Sequence, residues 1–297
     1  VVGETAAALA AASILFRPID AKYSALLLQH AEQLHVFADQ FRGFYTDSNP
    51  DAAQFYPSWS YADELVWSAL WLHKATEDVK YLNEVLFKWD EFHFSWQDTL
   101  LNWEDKRGGI VLLMYELTSG TNFRNKITHF VLQYKSNTTT TPGGLLFWGT
   151  GGTCSHAATA AFQLLVADDL GLGLGIAHDL AKTQINYILG ENPLKTSYII
   201  GFGNKYPTYP HHMASSCLPK YACNGCDCSW EAYHSPNPNP NVLRGALVGG
   251  PDQNDHWEDK RSDAIRNGVG LDYNAGFQSA VAGLIIKEQR KMRAGRK

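Results

Sequence analysis

Two stretches in the second half of the chain concentrate side chains that hydrogen bond and transfer protons. The first ends in His211-His212-Met213, and the second runs through Asp259 to Asp272. Imidazole and carboxylate groups are common general acids and bases, and they act only within hydrogen-bond reach of the reacting atom. Both stretches lie in or beside a segment rich in proline, glycine and asparagine, roughly residues 201–252. Irregular segments of this length are uncommon inside compact domains and are usually functional.

Both stretches belong to longer patterns. The first reads Tyr198-Ile-Ile-Gly-Phe-Gly-Asn-Lys-Tyr-Pro-Thr-Tyr-Pro-His211-His212-Met213. The second reads Gly249-Gly-Pro-Asp-Gln-Asn-Asp-His-Trp257-Glu-Asp259-Lys-Arg-Ser-Asp and continues to Asp272-Tyr273-Asn274-Ala275. Both closely resemble the active-site segments of glycoside hydrolase family nine, the cellulases built on an (α/α)6 barrel, and above all its animal members. Further landmarks of that family occur in order along the chain: Gly3-Glu-Thr-Ala-Ala, Tyr61-Ala-Asp-Glu-Leu-Val-Trp67, Trp71-Leu-His-Lys-Ala-Thr76, Pro142-Gly-Gly-Leu-Leu and Tyr187-Ile-Leu-Gly-Glu-Asn-Pro-Leu194.

The resemblance implies inverting hydrolysis of the β-1,4-glucosidic bonds of cellulose. One carboxylic acid protonates the leaving oxygen, and a carboxylate about 6.5–9.5 Å away activates water on the opposite face of the sugar. His211 and Asp259 match active-site positions of the family, which implies contact with sugar hydroxyls. The alternative for each is a loop residue that satisfies backbone groups. His212 and Trp148 are predicted to bind the substrate, a β-1,4-glucan or cello-oligosaccharide, and the alternative for Trp148 is packing in the core.

Three departures from the family pattern concern its chemistry. Counted from Trp257 and Asn274, the general acid position holds Gly268, and Met213 stands where the family has arginine. The family's Asp-Ala-Gly-Asp motif, whose carboxylates supply the general base, does not occur in these 297 residues. A hydrogen atom in place of a carboxylic acid donates no proton, so we expect a truncated, weakly active or inactive cellulase-family chain. The alternative is a non-catalytic carbohydrate-binding or interaction protein that reuses the sugar cleft.

A group of acidic residues indicates a metal site. Ser60, Asp63, Glu64 and the later Glu104 resemble the calcium-binding corner of many family members. Calcium takes about six to eight oxygen ligands, several of them carboxylate or carbonyl oxygens. Adjacent acids at a helix start are also stabilised by the helix dipole when no ion is bound. The sequence therefore leaves two interpretations, a structural calcium or a charged helix start, and no cofactor is required.

The cysteines favour disulfide chemistry over zinc. Cys154 stands alone, whereas Cys217, Cys223, Cys226 and Cys228 lie close together in the irregular segment. Structural zinc sites usually combine two separated Cys-x2-4-Cys pairs, and this spacing does not provide them. We expect at least one disulfide within residues 217–228, since a cross-link restricts an otherwise poorly ordered loop.

Helical periodicity dominates the elements that must position these residues. Apolar residues recur at three- and four-residue steps, and no run alternates apolar and polar residues as a half-buried strand does. We expect about nine helices, at residues 4–16, 20–41, 61–76, 79–90, 109–117, 122–134, 156–168, 176–189 and 273–293. The family has twelve. The predicted fold is an all-α (α/α)6 barrel, or toroid, that is incomplete because the N-terminal helices are missing. We predict a single domain over residues 1–297, lacking the family's N-terminal segment.

Composition restricts the partners and the location. A net charge of −5 offers no electrostatic footprint for nucleic acid, so no nucleic-acid partner is expected. No stretch reaches the roughly 18 apolar residues of a membrane span, so no membrane partner is expected either. Asn137-Thr-Thr is an N-glycosylation sequon. Together with the predicted disulfide, the sequon favours a secreted, extracellular protein.

Overall fold

The computed structural model describes residues 1–94, 100–218 and 228–294. Within these ranges the secondary structure is helical, and β-structure is limited to isolated bridges. The α-helices, in chain order, are α1 (Val2–Phe16), α2 (Ala21–Gln40), α3 (Tyr45–Ser48), α4 (Ala62–Thr76), α5 (Val79–Glu91), α6 (Arg107–Thr118), α7 (Thr121–Ser136), α8 (Thr153–Asp169), α9 (Ile176–Leu189), α10 (Met213–Ser216), α11 (Trp230–His234) and α12 (Leu271–Ala294), with a 3₁₀ helix at Pro50–Gln54. All nine helices expected from the sequence are present. In the described part of the chain, no helix combines the length and the apolar character that crossing a bilayer requires.

The helices fall into two compact units, Val1–Ile127 and Thr128–Lys297. The boundary lies within α7. The single domain expected over residues 1–297 stays a prediction.

In the N-terminal unit, α1 packs closely on α2 and α4 through small residues. The buried face of α1 consists of Gly3, Ala6, Ala7, Ala10 and Ser13. A β-carbon added at Gly3 would lie 2.8 Å from the carbonyl oxygen of Glu64, so only glycine allows this approach. The contact holds the first turn of α4, which carries Asp63 and Glu64, against the start of α1.

The core of this unit lies between α4, α5 and α6. Its buried members are Val66, Ala69, Leu70, Val85, Ile110, Leu113 and Met114. The connection from α4 to α5 is short because Glu77 ends α4 in the left-handed conformation (φ 61°). Asp78 then starts α5, where its side chain accepts a hydrogen bond from the Lys80 N–H at 2.9 Å. Local signals therefore set this helical hairpin, and burial of the apolar face stabilises it.

A charged network crosses the same unit between α2, α4 and α5. The Lys88 side chain is buried, and its ammonium contacts the carboxylates of Asp39 and, at 3.3 Å, Glu84. Nε2 of the buried His35 lies 2.9 Å from the Glu84 carboxylate, and its Nδ1 lies 2.8 Å from Ser68 Oγ. Burial acts to raise the pKa of Glu84 and of Asp39. Hydrogen bonds outweigh burial and lower both pKa values: those from His35 and Lys88 at Glu84, and those from Lys88 and Arg42 at Asp39. The network joins these three helices by charge, in addition to the apolar cluster that Ala31, Leu72 and Tyr81 form between them.

In the C-terminal unit, α8 packs against α9 and α12. A β-carbon at Gly276 of α12 would lie 2.4 Å from Thr159 Oγ1 of α8, so glycine permits their close approach. Isolated backbone bridges pair Ile199 with Leu247 and Val248 with Val269. These bridges bring the two chemistry-bearing stretches of the sequence side by side.

Candidate active site

The two stretches meet at His211 and Gly268. A parallel backbone bridge pairs these residues, and the His211 N–H donates to the carbonyl oxygen of Asn267 at 2.8 Å. Asn267 is itself buried, and its side-chain amide donates to the Glu258 carbonyl at 2.7 Å. The structure therefore places the predicted histidine beside the position expected for the general acid.

The imidazole of His211 is held from two sides. Its Nδ1 lies 2.8 Å from the carbonyl oxygen of Arg261. A carbonyl oxygen only accepts hydrogen bonds, so Nδ1 carries the proton in this contact, and Nε2 is then the acceptor nitrogen of the neutral ring. The ring also meets Tyr233 edge-on, with centroids 6.2 Å apart. This arrangement presets the tautomer and the orientation of the ring.

Gly268 leaves no room for a side chain. A β-carbon built on its backbone would lie 2.4 Å from the carbonyl oxygen of Ala264. The Gly268 carbonyl is engaged as well, since it accepts the Gly249 N–H at 3.0 Å. The position predicted for the general acid is thus closed by backbone atoms, which cannot rotate away as a flexible side chain can.

The Asp259 carboxylate holds the loop that leads to His211. Its Oδ2 accepts from the Thr208 N–H at 2.6 Å and from Thr208 Oγ1 at 2.9 Å. Its Oδ1 accepts from the Tyr209 N–H at 3.0 Å. Both oxygens therefore satisfy loop donors, which corresponds to the loop-holding alternative for this residue. Its predicted contact with sugar hydroxyls stays a prediction.

His212 and Met213 form the start of the short helix α10. Nδ1 of His212 accepts from the Ser215 N–H at 3.1 Å and so caps the helix. Met213 is exposed, and it offers a thioether where the family pattern has a guanidinium. A thioether is only a weak hydrogen-bond acceptor, so this position lacks the strong donors that an arginine would direct at a ligand.

The cysteines nearby form the expected cross-link. A disulfide joins Cys217, just after α10, to Cys228. Cys223 and Cys226, which the sequence analysis grouped with them, lie outside the described residues. Cys154 is a free, buried thiol, and burial raises its pKa. The predicted disulfide within residues 217–228 is therefore present.

Trp148 packs against α7 in the C-terminal unit. Its ring meets that of Tyr134 of α7 at 5.3 Å in an edge-to-face arrangement. The indole is half-buried. This packing corresponds to the alternative of a core tryptophan, and its predicted contact with substrate stays a prediction.

Arg261 was not expected from the sequence as an organiser of the site. The residue is buried, and its guanidinium donates to the carbonyl oxygens of Tyr233 (3.0 Å), Ser235 (2.8 Å) and Asn237 (2.8 Å). Its Nε donates to Asn239 Oδ1 at 2.7 Å. A buried arginine needs such partners, but a sequence does not show which loop provides them.

A cavity of about 910 Å³ opens within the N-terminal unit. Aromatic side chains form much of its wall: Phe37, Phe41, Phe44, Tyr45, Phe55, Tyr56, Tyr61 and Trp103. Tyr56 and Trp103 pack edge to face with centroids 5.0 Å apart. Charged groups among its lining residues are Glu4, Arg42, Asp47, Glu64 and Glu104. Ligand sites commonly combine apolar walls with a few placed polar groups. Sequence reasoning missed this site because its residues come from several segments with no shared motif.

The predicted calcium corner borders this cavity. Glu104 Oε1 accepts from the backbone N–H groups of Trp59 and Ser60, and Ser60 Oγ accepts from the Ala62 N–H at 3.1 Å. Asp63 Oδ2 accepts from the Lys106 N–H at 2.7 Å. Within the described ranges, no three His, Cys, Asp or Glu side chains are grouped as metal ligands. One oxygen of Glu104 is thus engaged by amide donors.

Glu64 is the group in this corner that fits a cation. Its Oε2 is buried without a hydrogen-bond partner. Burial, and next the neighbouring Asp63, raise the pKa of Glu64 to about 9. The nearest ammonium, that of Lys106, is engaged by Glu4 at 2.8 Å and by the carbonyl oxygen of Asn102 at 2.6 Å. A raised pKa means that Glu64 holds its proton near neutral pH, and a bound cation would displace that proton. Two adjacent carboxyl groups, one with an oxygen that lacks a partner, are the oxygen-donor chemistry that calcium prefers.

Comparison with known proteins decides the family. The sequence profile of glycosyl hydrolase family 9 matches residues 1–281. The chain belongs to glycosyl hydrolase family 9. The all-α fold and the family predicted from the two motifs are therefore confirmed, and the (α/α)6 barrel is the fold of this family's structural relatives.

The solved and curated relatives of this family-9 chain include endoglucanases. It is 49% identical to the endoglucanase of the termite Nasutitermes takasagoensis, with a TM-score of 0.90 over 96% of this chain and 64% of that one. It is 39% identical to "Endoglucanase 13" of rice over 88% of this chain and 48% of the relative. Endoglucanase CelQ of Clostridium thermocellum, solved with cellotetraose, is 32% identical over 95% of this chain and 47% of that chain, with a TM-score of 0.81. The family-9 chain spans about half to two thirds of the length of these relatives.

Proposed function

We propose that this family-9 chain binds β-1,4-glucan in the aromatic cavity of its N-terminal unit and hydrolyses it weakly or not at all. The cavity is the observation that carries the binding half of the proposal. Aromatic rings suit the C–H faces of glucose, whereas carboxylates and a guanidinium suit its hydroxyl groups. The endoglucanase relatives, one of them solved with cellotetraose, support a glucan as the ligand.

The residues at and around the position expected for the general acid support the second part of the proposal, that hydrolysis is weak or absent. Hydrolysis needs a donor for the leaving oxygen, and Gly268 carries no ionisable group. The Asp259 carboxylate already accepts three hydrogen bonds. The Nδ1 proton of His211 is directed at the Arg261 carbonyl. None of these groups is arranged as a proton donor of the family type.

A non-catalytic carbohydrate-binding protein is the second candidate, and Gly268 with Met213 favours it. The two candidates differ in turnover rather than in affinity. Calorimetric titration with cellohexaose, together with a reducing-sugar assay on the same preparation, separates them. Affinity without sugar release supports the binding protein, affinity with slow release supports a weak hydrolase, and no affinity for cellohexaose contradicts both.

The cavity wall provides the test of the binding site. Phe55 lines the cavity and is 76% exposed, so Phe55→Ala removes a stacking surface without opening the core. An aromatic contact contributes about 0.5–1.5 kcal/mol, so we expect cellohexaose to bind about 2- to 10-fold more weakly. Calorimetric titration at constant pH and salt measures the change.

Phe87→Ala is the matched control for this substitution. Phe87 lies on α5 in the same unit, is 69% exposed and does not line the cavity. Its substitution is expected to leave the affinity unchanged. Equal affinities for the wild type and both variants would exclude this cavity as the glucan site.

We propose further that Asp63 and Glu64 hold a structural calcium ion. The ion would neutralise the buried carboxylate oxygen of Glu64 and has no role in proton transfer. A ligand that binds only the folded state stabilises it by about 2.7 kcal/mol at 100 times its Kd. We therefore expect a higher Tm in calcium than in EDTA, measured by circular dichroism.

Glu64→Gln is expected to abolish this calcium-dependent rise in Tm. Glu116→Gln serves as the control, because the Glu116 carboxylate is exposed and paired with Lys74 at 2.7 Å, away from this corner. The control is expected to retain the rise. A Tm for the wild type that is the same in calcium and in EDTA would refute the calcium site.

An extracellular location is also proposed. Disulfides persist mainly in oxidising compartments, and the Cys217–Cys228 cross-link supports such an environment. The sequon at Asn137 is consistent with it. Mass spectrometry of the native protein checks both modifications, and unmodified Asn137 together with free thiols at both cysteines would contradict the proposal.

A further inference from the structure

An aromatic group projects from the short helix α11 next to His211. Trp230 begins the helix and is 74% exposed. Its ring meets that of Tyr233 edge-on at 5.4 Å and lies at 27° to that of His234, with centroids 6.1 Å apart. Tyr233 in turn contacts the His211 ring. Most of these contacts are edge-to-face, so the four rings form a contiguous aromatic cluster that carries the exposed indole of Trp230, and we name this cluster the α11 platform.

Contacts from outside α11 stabilise the platform, because a helix of five residues is too short to be stable by itself. Arg261, buried beneath it, donates to the carbonyl oxygens of Tyr233 and Ser235 and fixes the end of α11. The carbonyl of the same Arg261 contacts Nδ1 of His211. One buried residue thus contacts both α11 and the histidine and contributes to their spacing.

The N-terminal end of α11 is also fixed in place. Ser229 caps α11 by accepting the Glu231 N–H at 3.3 Å. Cys228, one residue earlier, is cross-linked to Cys217 at the end of α10. The Tyr209 hydroxyl donates to the Pro236 carbonyl at 2.8 Å on the far side of the helix. Both ends of α11 are therefore fixed while the indole of Trp230 stays in solvent.

A fixed, exposed indole beside hydrogen-bonding groups has the chemistry of a sugar-stacking surface. The ring offers an apolar face to pyranose C–H groups, and the neighbouring imidazoles and phenol offer partners for hydroxyls. Preorganisation by Arg261 also reduces the entropy lost when a ligand binds. A protein interface would instead need a wide apolar area around the indole, whereas histidine, tyrosine and serine side chains surround it here.

We propose that the α11 platform is a subsite that stacks one glucose ring of a β-1,4-glucan on Trp230, alongside His211. The inference rests on the proposed glucan-binding function and adds a binding position in the C-terminal unit. Trp230→Ala is expected to weaken cellohexaose binding about 2- to 10-fold. Trp230→Tyr keeps an aromatic ring and is expected to retain most of the affinity. Calorimetric titration of the complete chain measures both.

Ile285→Ala is the control. Ile285 is an apolar residue on α12 of the same unit, is 51% exposed, and lies outside the platform and outside both family patterns. The affinity of this variant for cellohexaose is expected to equal that of the wild type. A Trp230→Ala affinity equal to the wild type, or an equal loss in Ile285→Ala, would overturn the platform.

The outcomes separate this inference from the function on which it rests. If the wild type binds no cellohexaose, the proposed function fails and the platform fails with it. If the wild type binds, and Phe55→Ala weakens binding while Trp230→Ala does not, the function stands and only the platform is rejected. Circular dichroism melts of each variant confirm that the comparison is made between folded chains.

Discussion

Release of reducing sugar from a soluble cellulose derivative is expected to be undetectable for the purified 297-residue chain. A single catalytic proton transfer contributes about 10²–10⁴-fold to a rate, and Gly268 provides no proton at the acid position. The leaving alkoxide of a glucoside is a poor leaving group without protonation. The assay is run with the termite endoglucanase as the positive control. Hydrolysis at a rate typical of an enzyme would show that another carboxylate takes the role assigned to this position.

Restoring the acid alone is expected to fail. Gly268→Glu places a β-carbon 2.4 Å from the Ala264 carbonyl oxygen, so the backbone must shift before the carboxyl reaches a ligand. The family's base motif is also not among these 297 residues. Gly268→Ala carries the same β-carbon without the carboxyl group and is the control for the steric effect. We expect both variants to melt at a lower temperature than the wild type and neither to release sugar. Activity in Gly268→Glu but not in Gly268→Ala would contradict this expectation.

Lys88→Met is expected to lower the free energy of unfolding by about 2–4 kcal/mol. The Lys88 side chain is 1% exposed, and its ammonium lies between the carboxylates of Asp39 and Glu84. Breaking a buried ion pair typically costs about 3–5 kcal/mol, because the partner charge stays behind. We place the value lower because solvent partly screens the two carboxylates, whose side chains are 34% and 27% exposed. Urea unfolding followed by circular dichroism measures the change.

Lys80→Met is the matched control on the same helix. Lys80 pairs with Asp78 at 3.2 Å, but both side chains are well exposed, and exposed pairs contribute about 0–1 kcal/mol. Similar losses of stability in Lys80→Met and Lys88→Met would show that burial of the Lys88 ammonium is not what matters.

The pH dependence of the free energy of unfolding provides a second test of the Lys88 network. The folded-state pKa values of Asp39 and Glu84 lie below their ordinary values of 3.8 and 4.5. The unfolded state therefore takes up protons first, so the stabilisation is present above about pH 4.5 and is lost as the pH falls through the folded-state values. The difference between wild type and Lys88→Met is expected to shrink over that acidic range. An unchanged difference at low pH would count against the ion pairs as its source.

The long helices could be predicted because their signals are local. Apolar residues at three- and four-residue steps define each buried face, and the predicted range 176–189 has the bounds of α9. The short helices α3, α10 and α11 escaped prediction, since four or five residues are too few to show a period. Their starts depend instead on single contacts, such as His212 with the Ser215 N–H.

The family motifs predicted candidate site residues but not what each one contacts. His211 and Gly268 were singled out by pattern, yet the bridge between them and the crowding at Gly268 follow from chain packing. The sequence allowed two interpretations of Asp259, a sugar contact or a loop contact. Only the folded loop shows that its carboxylate accepts hydrogen bonds from the N–H groups of Thr208 and Tyr209. A sequence pattern records residue type, whereas a hydrogen bond depends on distance and direction.

The sequence alone therefore determined the helical class and the family, and it provided the prediction that Gly268 and Met213 occupy key family positions. Only the tertiary structure shows the groups that no sequence motif marks: the aromatic cavity, the Lys88 network and the contacts of Arg261. Their members are far apart in the chain, as for Lys88 and Asp39, 49 residues apart, and His211 and Arg261, 50 residues apart. Packing of whole helices and loops brings such residues together, and no local sequence signal encodes the partner that each one meets.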